Sequence, residues 1–201
     1  CSSDLSEDLK ALGDISHINL NIHSPGGDVF DGIAIYNLLN KHPAKVTVHI
    51  DGLAASMASV IAMAGDRIVM PENALMMIHK PWGGTCGNAD DMRETADWLD
   101  RNEAMLLSIY EKKTGKPREE LAALLSADTW LDGLQAKEMG FVDVLEEPIS
   151  AAAYVNENKM KDGSSPRARG TERPGRPAAA DLRFIPAGAG NRSGRSRHGG
   201  A

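Results

Sequence analysis

A serine, a histidine and an aspartate are candidates for acyl-transfer chemistry: Ser56, His79 and Asp128. In such a set the imidazole takes the serine proton, while a carboxylate fixes the ring's tautomer and stabilises the imidazolium. Ser56 lies in Asp51-Gly52-Leu53-Ala54-Ala55-Ser56-Met57-Ala58-Ser59, after an alternating apolar segment (Val46, Val48, Ile50) and before the small and apolar run Val60 to Ala64. This pattern predicts strand, tight turn and helix, with the serine at the helix start. A hydroxyl there is held at a fixed point, near backbone N–H groups able to hold an oxyanion. His79 closes the apolar segment Met76-Met77-Ile78, where a strand end can project an imidazole into a cleft. Each residue also has an ordinary structural reading. Ser56 and Ser59 can be small residues easing helix packing, His79 a satisfied histidine at a strand end, and Asp128 a helix cap.

The elements that must position these groups alternate in type. Leu5, Leu9 and Leu12 at helical spacing, stopped by Gly13, predict a short amphipathic helix. Ile18, Leu20 and Ile22 predict a strand running into Ser24-Pro25-Gly26-Gly27, where proline and two glycines let backbone approach a ligand. Asp28 or Asp31 can cap a helix from Gly32 to about Asn40, and the next strand is Val46–Ile50. Short strands are expected at Arg67–Met70 and Leu75–Ile78, and a glycine-rich connection at Trp82–Asn88. A long helix follows from Ala89 to Lys113, with Met92, Ala96, Leu99, Met105, Leu106 and Ile109 as its apolar positions. Helices at Glu119–Leu125 and Leu134–Met139 and a strand at Phe141–Leu145 complete an α/β fold with a largely parallel sheet.

Composition narrows the class. No run of eighteen apolar residues exists in the 201, so no membrane span is expected. Cys1 and Cys86 are the only cysteines; they give neither a disulfide framework nor metal spacing, and a reducing cytoplasm fits them best. The chain does not open with Met, and its start reads as cut within a longer protein. The net charge of −6 hides a split. Residues 1–155 carry twelve basic and twenty-four acidic groups, −12, which argues against nucleic acid as partner of the core. Residues 156–201 carry ten basic and four acidic groups, +6, in a Gly/Pro/Arg-rich tail expected to be disordered. The tail reads as the product of a frameshift or genomic junction near Lys159–Ser164.

Four segments in order carry a family resemblance: Ser24-Pro25-Gly26-Gly27, Gly52-Leu53-Ala54-Ala55-Ser56-Met57, Met77-Ile78-His79-Lys80-Pro81 and Asp128-Thr129-Trp130. The successive intervals Gly27–Ser56, Ser56–His79 and His79–Asp128 are 29, 23 and 49 residues. The chain resembles the proteolytic subunit of the Clp protease, and more closely the Clp-like head maturation proteases of tailed phages and prophages. The resemblance runs from Leu5 to Leu145 and ends in Glu138-Met139-Gly140-Phe141-Val142-Asp143, similar to the family's closing segment. It implies the Clp protease/crotonase-like fold of repeated ββα units, with a protruding handle of strand plus long helix. It further implies a serine endopeptidase with Ser56 as nucleophile, His79 as general base and Asp128 as orienting acid. Gly27 and Met57 would supply the oxyanion-hole N–H groups. Because the family binds peptides as an added strand, Pro25, Gly26, Trp82 and Gly83 are substrate-binding candidates.

No cofactor and no metal is implied. The expected partners are a polypeptide substrate and further copies of the chain in a ring, with a Clp-type ATPase or phage capsid proteins beyond them. Departures weaken parts of this picture. Thr129 replaces an arginine that helps housekeeping members stack two rings, His23 replaces an asparagine, and Ala58 stands where glycine often follows the Ser-Met pair. The start, read as cut, is expected to leave out the family's N-terminal segment that lines the axial pore and meets the ATPase, so coupling to an unfoldase does not follow from the resemblance. Two other readings compete: a crotonase-type acyl-CoA hydratase or isomerase, and an inactive prophage remnant.

Overall fold

The computed structural model describes residues 2–147 and 179–184. Helix α1 (Ser2–Ala11) ends as expected before Gly13, which takes a φ of 65°. Strand β1 (His17–Ser24) buries Ile18, Leu20 and Ile22 at alternate positions. Of the two cap candidates, Asp28 caps α2 (Val29–Lys41): its carboxylate accepts from Phe30 N–H and Asp31 N–H. The helix therefore begins three residues before the expected Gly32.

Strand β2 (Lys45–Ala55) corrects the sequence reading most usefully. Asp51 to Ala55 is strand rather than tight turn, so Ser56 follows the strand directly. The reason is pairing. The first half of β2 takes β3 (Arg67–Pro71), Thr47–His49 facing Arg67–Val69, and its second half takes β4 (Leu75–Ile78), Leu53–Ala55 facing Leu75–Met77. Between them β2 uses four steps, Ile50 to Ala54, where β1 uses two, Ile22 to Ser24. Such an irregularity re-aims a strand end. Here it brings Ser24-Pro25-Gly26-Gly27 beside Ala55 and Ser56.

After β2 come α3 (Met57–Ala62), α4 (Ala89–Thr114), α5 (Arg118–Ser126), β5 (Thr129–Asp132), α6 (Gly133–Glu138) and β6 (Val144–Glu146). The sheet order is β5-β4-β2-β1 with β3 also on β2 and β6 on β3; only β4 and β5 pair antiparallel. The expected mixed α/β fold with a largely parallel sheet holds. The last strand is shorter than expected, because Phe141 and Val142 leave the sheet and are buried in the core. A further strand, β7 (Ala179–Phe184), lies parallel to β1 from His17 opposite Ala179 to Ile22 opposite Phe184. It falls within the tail expected to lack structure, so that expectation fails for these six residues. The alternating segment Ala-Asp-Leu-Arg-Phe was masked by its Gly/Pro/Arg-rich surroundings. The remaining tail lies outside the described residues.

Helix α4 is capped at both ends, by an Asn88–Asp91 capping box and by left-handed Gly115. Its buried residues are Asn102, Leu106, Leu107 and Tyr110, all in the second half. Met92 and Ala96, expected on an apolar face, are exposed because the first half runs past the body of the sheet. Lys113 pins the far end. Its ammonium donates to Asp143 at 2.8 Å and to the Gly65 carbonyl at 3.2 Å, and Asp143 also accepts from Ile68 N–H at 2.7 Å. Among the described residues, no helix is long and apolar enough to cross a membrane.

Asp66 joins the turn after α3 to the start of β2, accepting from Lys45 Nζ at 2.7 Å and Val46 N–H at 2.8 Å. These bonds, the lysine's first, hold its carboxyl below the ordinary value of 3.8. A lowered folded value means the stabilisation is present above the ordinary carboxylate range and lost as pH falls through the lowered value. Asp66→Asn should therefore lower the urea midpoint at pH 6, with the gap to the parent closing as pH drops below 3.8. A gap that stays constant with pH would contradict the assignment.

Candidate active site

Ser56 has a backbone that L-residues seldom adopt, with φ 55° and ψ −127°. Its surroundings hold it there. Ser56 N–H donates to the Met77 carbonyl at 2.8 Å, and the Ser56 carbonyl accepts from Ser59 N–H at 3.0 Å and Ser59 Oγ at 2.6 Å. Observed strain of this kind collects at functional sites. Its effect here is geometric: strand β2 stops, α3 starts, and the Ser56 side chain points out of the junction. Ser56 Oγ lies 2.7 Å from His79 Nε2, a short hydrogen bond between residues 23 apart in sequence.

His79 follows the last residue of β4, and the Lys80 N–H donates to the Leu125 carbonyl at 3.2 Å. Lys80 also pairs with the largely buried Glu103 of α4 at 3.1 Å. The antiparallel β4–β5 register sets Ile78 opposite Thr129, so the next step outward sets His79 opposite Asp128. Directly opposed residues share a face. Asp128 is the second non-glycine residue with positive φ, at 49°, where α5 ends and β5 begins. Its Oδ1 stands 4.0 Å from His79 Nδ1, beyond hydrogen-bond reach, and its side chain is 74% exposed. The structure thus brings Ser56 and His79 into contact, with Asp128 one small step away.

Behind the serine, Gly26 is irreplaceable. Its φ is 99°, and a Cβ there would lie 2.7 Å from both Ser56 Cβ and the Ala55 carbonyl oxygen. Gly32 of α2 plays the same part towards Met57, whose Cε would be 2.5 Å from an added Cβ. A cleft of about 520 Å³ opens in front, walled by Pro25, Gly27, Met57, Met77, Trp82 and Trp98 among others. Of the substrate-binding candidates, Pro25 and Trp82 line this cleft, whereas Gly26 packs behind the serine and Gly83 lies outside the wall. Met57 is the first residue of α3, so its N–H has no acceptor within the helix. Gly27 and Met57 face the same cleft as Ser56.

The model of the Clp protease family matches residues 4–148. The chain belongs to the Clp protease family. An ATP-dependent Clp protease proteolytic subunit of Oltmannsiellopsis viridis is 38% identical over 138 residues, which cover 67% of this chain and 70% of the relative. As a Clp protease family member, the protein is a serine-type endopeptidase.

Sequence reasoning missed two residues of this Clp-type cleft, Trp98 and Tyr110, both from α4. Tyr110 is fully buried, stands edge-on to Phe141, and its hydroxyl lies 2.8 Å from Ser59 Oγ. Burial pushes its pKa well above 10.0, against a smaller lowering by the Ser59 bond, so the hydroxyl keeps its proton. The available signal was helical spacing, Tyr110 falling four residues after Leu106 on the buried stripe. Trp98 packs on Phe30 of α2 with ring centroids 5.6 Å apart, an association no sequence spacing announces. Among the described residues, no group of His, Cys, Asp or Glu could hold a metal ion.

Gly26→Ala should destabilise the fold by about 1–3 kcal/mol through overpacking against Ser56. It should also abolish peptidase activity in whatever fraction stays folded. A Gly26→Ala protein melting with the parent and hydrolysing peptides at its rate would show that the close approach is not needed.

Proposed function

We propose that the protein cleaves peptide bonds through a Ser56–His79–Asp128 triad, with the N–H groups of Gly27 and Met57 as oxyanion hole. The observation that carries the reading is the 2.7 Å contact between Ser56 Oγ and His79 Nε2 on a strained nucleophile backbone. In the forward step the Ser56 Oγ–carbon bond forms as its proton passes to His79 Nε2. The carbonyl oxygen takes the negative charge between Gly27 and Met57. Collapse breaks the amide C–N bond, and the imidazolium hands its proton to the leaving amine. Water, deprotonated by His79, then hydrolyses the acyl-enzyme by the same route. A crotonase-type hydratase or isomerase has no use for the Ser56–His79 contact.

Peptide binding as an added strand along Pro25 and Trp82 is part of the same reading, as is a ring of identical subunits. A role in phage head maturation or in degrading unfolded protein and a Clp-type ATPase or capsid partner rest on the motif resemblance, and a cytoplasmic setting on the cysteine usage. The relative's ATP dependence extends to this chain only as part of this proposal.

Ser56→Ala should abolish hydrolysis of casein and fluorogenic peptides and leave the melting temperature within a degree or two, because one hydroxyl is removed from an alanine-rich site. Loss of a triad member lowers kcat on the order of 10⁴–10⁶. His79→Ala should abolish hydrolysis likewise, because the proton acceptor for Ser56 Oγ is removed. A Ser56→Ala protein working at the parental rate would end the proposal.

Assembly should complete the site. Asp128 is exposed and 4.0 Å from His79, and the connection after His79 carries Gly83, Gly84 and Gly87. A misplacement of about 1 Å in such a site lowers the rate around a hundredfold. Specific activity should therefore rise with protein concentration, in step with a shift from monomer to ring in sedimentation velocity. Full, concentration-independent turnover by a proven monomer would overturn this.

A further inference from the structure

Ser59 and Tyr110 take no part in the proton transfers, yet both are buried, one and two hydrogen-bonded steps from the nucleophile's own peptide. In a trans peptide the C=O and N–H lie in one plane and point in opposite directions. The Ser56 carbonyl is held inward by Ser59 N–H at 3.0 Å and Ser59 Oγ at 2.6 Å. The N–H of that same plane belongs to Met57, a residue that lines the cleft, and is thereby turned away from the Ser59 side. Turning the plane over would carry Ser56 ψ from −127° to about 50°, a left-handed helical state that serine tolerates better. The bonds to Ser59 and the helical backbone of Met57 oppose that turn.

The Ser59 hydroxyl has one proton and gives it to the Ser56 carbonyl, so the 2.8 Å contact with Tyr110 must be donated by the tyrosine. Tyr110 reaches in from α4, 51 residues along the chain, and its ring is fixed by the edge contact with Phe141. Hydrogen bonds in series strengthen one another. We propose that Ser59 and Tyr110 are positioning residues which lock the Ser56–Met57 peptide so that its N–H faces the substrate oxyanion. This inference rests on the reading of Ser56 as nucleophile and adds how its oxyanion donor is aimed.

The test uses the full chain with Tyr110→Phe, which removes a hydroxyl without changing ring shape, and Ser59→Ala. Rates are expressed per site titrated with a fluorophosphonate, and melting temperatures are recorded beside them. Each variant should lose about tenfold in kcat with KM unchanged, less than the hundredfold or more that follows loss of an oxyanion donor itself. Affinity for a peptide aldehyde, whose hemiacetal oxygen occupies the oxyanion hole, should fall by the same factor. The double variant should match Ser59→Ala within about twofold, since the two hydroxyls act in series. Should Ser59→Ala not fold, Tyr110→Phe alone decides. Parental kcat per titrated site and parental aldehyde affinity in the folded variants would overturn the inference. So would a loss confined to the titratable fraction, which is the signature of a folding role. A parent with no Ser56-dependent labelling would instead sink the nucleophile reading itself.

Discussion

The backbone of Ser56 is the constraint on which the rest of the site depends. A serine at φ 55° and ψ −127° is not held by its own preferences, so its neighbours must hold it. Strand β4 does so from one side through the Met77 carbonyl, and α3 from the other through Ser59. Gly26 leaves the space in which the junction sits. The pairing of β2 with two different strands follows the same logic. Its second half must leave β3 and join β4, because only β4 delivers His79 to the serine's side.

The acid is positioned by a weaker device. Opposition across a short antiparallel pair places Asp128 near His79 but does not close the last gap. Carboxylate and imidazole approach along a direction open to solvent, whereas serine and imidazole meet inside a bonded framework. The three groups are therefore held with unequal stiffness, and the approach of carboxylate to imidazole is the soft one.

Much of this was legible in the residues. Alternation in Ile18–Ile22 and Val46–Ile50 marked the central strands, and Asp28 and Gly13 marked helix boundaries by the chemistry of caps. Ser56 and His79 stood out at element ends, and Asp128 through the four-segment resemblance. What could not be read came from long-range pairing. Asp51 to Ala55 looks like a turn until β4 is found beside it, and Met92 and Ala96 look like core until α4 is seen to outrun the sheet. Ser59 was visible only as a small residue, since its partner lies 51 residues away.

Helix α4 has unequal halves, and the inequality reaches the cleft. Its second half is anchored in the core through Leu106, Leu107 and Tyr110, while its first half has little beneath it. Segments with few buried contacts open at a lower free energy than those packed in a core. One helix thus contributes both a yielding wall, at Trp98, and a firm one, at Leu106 and Tyr110. A cleft built this way can give on its Trp98 side while its Leu106 and Tyr110 side stays in register.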